Sequence, residues 1–75
     1  MLVSDQHQLL HEADRHITEW RRLVVTQKSR IADLQREGHN AVGSVTLLRE
    51  LEASLRSMRH DRDVIARRLR RHDHC

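Results

Sequence analysis

The sequence predicts an all-α protein: one antiparallel two-helix hairpin, coiled-coil-like, that dimerises into a four-helix bundle. Three observations predict it. Apolar residues recur in a 3-4 alternation through each half of the chain, the seam pattern of a coiled coil. Proline is absent, and the two glycines of the 75 residues, Gly38 and Gly43, fall together near the middle. Leucines beside each seam extend the apolar stripe past what two helices can cover. The composition agrees, because Leu, Arg, Glu, Gln and Ala are good helix formers. With one Trp and no Phe or Tyr, the chain lacks the aromatic residues that a sheet-based core favours.

Helix one is expected over about 5–37. Its seam runs through Leu10, Ala13, Ile17, Trp20, Val24, Gln27, Ile31 and Leu34, with Gln27 as the one polar interruption. The turn is expected at 38–40. Gly38 stands just past the last periodic residue, where a helix commonly ends in the left-handed conformation. Asn40 is a suitable N-cap for the second helix, with Ser44 as a later alternative start. Helix two is expected over about 41–71, with its seam at Leu48, Leu51, Leu55, Met58, Arg62, Ile65 and Leu69. Residues 72–75 read as a frayed tail. A turn this short makes the helices antiparallel neighbours. A fold at Gly38–Asn40 pairs Leu34 with Leu48, Gln27 with Leu55, Val24 with Met58 and Ile17 with Ile65. It also sets Trp20 against Arg62, where a guanidinium can lie on the indole face.

A chain of this length buries only about 60% of the surface exposed by its unfolded form, so small folds usually add a disulfide, a metal or a partner subunit. The only cysteine is Cys75, the last residue, which excludes an internal disulfide. Leu9, Leu23 and Leu47 each precede a seam residue on the same flank, and Val25 and Val64 lie further round. A stripe widened on one side suits docking against a second copy, and C2 symmetry is the simplest closure. The plainer alternative is that these leucines broaden the intramolecular seam.

No motif for catalysis is visible: no phosphate-binding glycine loop, nucleophile elbow or zinc-protease helix. The expectation is therefore a protein that is not an enzyme and needs no cofactor or small-molecule substrate. Glu52–Arg56, Arg15–Glu19, Arg59–Asp63 and Asp63–Arg67 are spaced i,i+4 and read as stabilising surface pairs. The longest apolar run is Leu23-Val24-Val25, far short of the roughly 20 residues that span a bilayer. The start lacks the features of a secretory signal, and a lone thiol fits a reducing compartment. A cytoplasmic location without membrane contact is the expectation.

Charge is unevenly placed. Residues 1–37 carry six positive and six negative side chains, whereas residues 38–75 carry eight and five, which gives the net +3. Arg59, Arg67, Arg68, Arg70 and Arg71 are candidate contacts for an acidic protein surface or, as a second reading, for a nucleic-acid backbone. Against nucleic acid, no aromatic residues interleave to stack bases. Cations near a helix C-terminus also offset its macrodipole without any partner. His7 and His11, one turn apart, lie in this register at the same end as His72, His74 and Cys75. The five are candidate metal ligands, though their spacing matches no established metal motif.

The stretch from His16 to Leu69 also resembles a group of short helical proteins, mostly α-proteobacterial, for which no function is established. The matching elements are His16-Ile17, Arg21-Arg22, Gln27, Arg30-Ile31, Leu34, Gly38-His39-Asn40, Leu47-Leu48, Leu51-Glu52, Leu55, His60-Asp61-Arg62 and Leu69. Trp20 and Gly43 depart from the pattern, which has a small and an acidic residue there. The resemblance implies the hairpin and assigns no chemistry. Together these readings favour a small structural or protein-interaction module whose first partner is itself.

Overall fold

The computed structural model describes residues 3–73 as two α-helices packed against each other, with no strand among them. Helix α1 spans Val3–Arg36 and helix α2 spans Val42–Asp73. The helices therefore start and stop within two residues of their expected limits, and the connection is 37–41 rather than 38–40. Local chemistry accounts for the difference. Gly38 adopts φ 75°, its N–H donates to the Gln35 carbonyl at 3.2 Å, and the His39 N–H donates to the Leu34 carbonyl at 2.9 Å. These are the two bonds of a Schellman ending, which occupies the last turn of α1 and releases the chain after Arg36. On the far side, Asn40 Oδ1 accepts the Val42 N–H at 2.9 Å, satisfying one of the donors that every helix start leaves without an intrahelical partner. The Ala41 carbonyl accepts the Val45 N–H at 2.9 Å, so the backbone turns helical at Ala41 and Ser44 is already inside α2. Asp5 in the first turn of α1 and Arg36 in its last have the signs its macrodipole favours.

The seam forms from the faces that the 3-4 spacing selects. Ile17, Val24, Gln27, Ile31, Leu55 and Leu69 are buried, while Leu10, Ala13, Trp20, Leu34, Leu48, Leu51, Met58 and Ile65 are half-buried beside them. Ile17, Val24 and Leu55 form the central cluster, with Trp20, Leu48, Leu51 and Met58 packed on it.

The partners across the seam differ from those expected. The Trp20 indole N–H donates to the Leu51 carbonyl at 3.0 Å, and the Gln27 amide donates to the Ser44 carbonyl at 2.8 Å. Trp20 thus meets Leu51 instead of Arg62, and Gln27 meets Ser44 instead of Leu55. Arg62 does not lie on the indole. Its Nε donates to Asp14 at 2.8 Å. These side chains reach partners six to eleven residues, roughly two to three turns, from the expected ones. The physical reason is polar satisfaction. Gln27 is buried, and a buried amide facing Leu55 would be left without a partner, a cost of about 1–3 kcal/mol. The offset gives it a carbonyl, gives the indole N–H another, and still sets apolar face on apolar face because the heptad repeats.

The molecule is a rod of 59 × 17 × 15 Å with a radius of gyration of 17.1 Å, against about 11 Å for a compact chain of this length. Among the described residues no helix is long and apolar enough to cross a membrane.

Candidate functional site

An antiparallel pair has two sides, and each helix contributes one flank to each side. On one side the heptad places Leu9, His16, Leu23 and Arg30 of α1 beside Leu47, Ser54 and Asp61 of α2. The three leucines expected at an oligomer contact stay exposed, at 40% for Leu9, 47% for Leu23 and 45% for Leu47. Val64, half-buried, lies beyond them on α2.

The other side is basic. Arg21, Lys28, Arg56 and Arg59 line an open groove of about 390 Å³ that straddles the two helices, with Glu52 as the single anion at its wall, the buried Val24 and Leu55 along its floor and the exposed Val25 at its rim. The sequence alone points to Arg59, with Arg56 a turn before it, but not to Arg21 and Lys28. The seven-residue spacing of Arg21 and Lys28 was a signal that they share a flank, and the expected pairing of Val24 with Met58 and Gln27 with Leu55 already set Arg56 and Arg59 opposite them. Of the four i,i+4 pairs expected, Arg15–Glu19 forms at 3.9 Å. Glu52–Arg56 and Arg59–Asp63 are not within ion-pair distance, Asp63 instead approaches Arg62 Nη1 at 3.5 Å, and Arg67 Nε donates to the Asp63 backbone carbonyl at 3.3 Å. Exposed pairs of this kind gain little over hydration, so leaving them apart costs little.

Arg62 is a different kind of cation. The hydrogen bond to Asp14, then the charge of that carboxylate, raises its pKa above the ordinary arginine value, with partial desolvation acting the other way. It is neutralised in place and ties the two helices together.

The remaining candidates are scattered. Arg67, Arg68 and Arg71 line a second, smaller hollow of about 280 Å³ beside Val64, apart from Arg59, and Arg70 lies in neither. His7 and His11 are exposed on α1. The side chain of His72, and His74 and Cys75 entirely, lie outside the described residues. Among the described residues no three metal-binding side chains come together. Compared with protein-family models, curated proteins and solved structures, the chain has no match, so its functional reading rests on its own geometry.

Proposed function

We propose that the protein is a protein-interaction module that acts as a homodimeric four-helix bundle, with the flank of Leu9, Leu23 and Leu47 packed against the same flank of a second copy. The observation that carries this is the exposure of those three leucines in line along one side of the seam. Their spread along α1 and α2 gives a line of leucines, set among His16, Arg30, Ser54 and Asp61, rather than a point contact.

Surface area supports the same reading. The chain exposes 5963 Å², whereas a folded monomer of 8.9 kDa is expected to expose about 4,800 Å². The excess of about 1,200 Å² is of the size that one partner contributes to a substantial interface, where about 800 Å² per partner is standard. The core supports it too, because no large side chain among the described residues is fully buried. A second hairpin laid on the leucine flank completes the burial that two helices begin, as in other bundles. A rod whose hollows are open grooves also suits recognition of surfaces better than the enclosure of a reacting substrate.

Light scattering on a sizing column tests the proposal. The unmodified protein should run at twice 8.9 kDa, and Leu23→Glu should shift the mass toward one chain while retaining most of the helical circular dichroism. A single-chain mass for the unmodified protein at high micromolar concentration would sink the reading.

A further inference from the structure

The basic groove lies across the seam from the leucine ridge, so pairing through the ridge does not cover it. Its make-up is selective. Arg21 and Lys28 stand seven residues apart on α1, about 10 Å along the axis. Arg56 and Arg59 face them from α2. None of these four cations is within ion-pair distance of a described acid, although Glu52 lines the same groove. Four unneutralised charges held this close repel one another, and an anionic partner relieves the repulsion. Between them the floor is apolar, made by Val24 and Leu55, and Val25, 66% exposed, stands at the α1 rim.

We propose that this groove docks an acidic amphipathic helix of another protein. Such a helix presents carboxylates at the i, i+3, i+4 and i+7 positions of one edge and an apolar side chain beside them, which matches cations on both walls over an apolar floor. Arginine forks take carboxylates bidentately, and three of the four cations are arginines. A nucleic-acid backbone satisfies the charges but leaves Val25 uncovered. It also finds no stacking platform, because the only aromatic side chain, Trp20, is half-buried with its indole N–H given to the Leu51 carbonyl. The inference uses the flank opposite the leucine ridge and does not depend on self-association.

The test uses the full chain and a fluorescein-labelled 21-residue peptide with Glu along one edge, one Leu per heptad and Ala elsewhere. A Lys-for-Glu version and 21-nucleotide single- and double-stranded DNA serve as rival probes. Anisotropy should show binding of the acidic peptide that weakens as salt rises, with DNA weaker at every salt concentration. The double variant Arg21→Glu, Arg59→Glu should weaken peptide binding at least tenfold, while the charge-matched Arg67→Glu, Arg68→Glu leaves it within twofold. If the charge reversal unfolds the chain, Arg21→Gln, Arg59→Gln reads the same site with a smaller loss. Equal losses from both double variants would reduce the groove to net charge, and tighter binding of DNA would replace the protein partner. A lower mass of the peptide-free groove variant on the sizing column would make the occupant a second copy, and either that or a lack of peptide binding overturns the proposal. Leu23→Glu should lower the mass without weakening the peptide, which separates this inference from the pairing through the ridge.

Discussion

Gln27 occupies a seam position that the heptad reserves for an apolar side chain, and it is as buried as its apolar neighbours, at 8% exposed. Its amide reaches the Ser44 carbonyl within the first turns of α2, which selects one alignment out of several that a repeating seam allows. Polar residues at single seam positions are the best-attested specifiers of coiled-coil register. Because the acceptor is backbone, the two residues respond differently to the same change. Gln27→Ala should lower the free energy of unfolding by about 1–3 kcal/mol, through the lost hydrogen bond and the space left behind. Ser44→Ala keeps the carbonyl and should stay within about 0.5 kcal/mol of the unmodified protein. Urea denaturation read on the single Trp20 measures both, and a large Ser44 effect would move the interaction to its side chain.

At the scale of the element, the two glycines separate turn chemistry from helix chemistry. Gly38 closes α1 at φ 75°, where a Cβ meets nothing within 4 Å and the whole cost of a side chain is backbone strain. Gly38→Ala should therefore destabilise by about 1–2 kcal/mol. Gly43 lies inside α2 with equally open space and ordinary dihedrals, so Gly43→Ala should stabilise by about 0.5–1 kcal/mol. Thermal melts of the two variants should move in opposite directions, and parallel shifts would refute the assignment of the turn. The helices and their turn were legible in the sequence because they are local: a glycine after a periodic run, an Asn placed to cap the second helix, no proline. The seam faces were legible for the same reason. The register was not, because a heptad slid along itself looks equally apolar. The choice fell to Gln27 and Trp20, whose polar ends seek carbonyls that no side-chain pattern marks. The basic groove was missed for another reason: the charge excess points to the arginine-rich end of α2, whereas Arg21 and Lys28 lie in the half of the chain that is neutral overall.

At the scale of the whole molecule, a thin core makes each central side chain count. Leu55 belongs to the central cluster and is 6% exposed, and Leu55→Ala should cost about 2–5 kcal/mol. Arg62 joins the helices through Asp14 at the half-exposed edge, and Arg62→Ala should cost less, as partly solvated ion pairs do. A larger loss at Arg62 than at Leu55 would show that the ion pair, not the cluster, holds the rod together. The raised Arg62 pKa places its contribution below the ordinary arginine value and removes it only as pH climbs through a still higher one. The charge of Arg62 therefore adds no slope to stability anywhere near neutral pH.

A two-helix rod has no inside and outside in the sense of a globular domain; it has two long edges. When one edge is spent on C2 pairing, symmetry duplicates the other. The resulting particle carries two copies of the groove, one per hairpin, fixed to a common frame. Such a particle is bivalent. A partner with two acidic helices on a tether of suitable length would meet the second groove at millimolar effective concentration and bind far more tightly than either helix alone. Two separate partners would be held side by side, so dimerisation of the hairpin would turn a weak groove into a clamp.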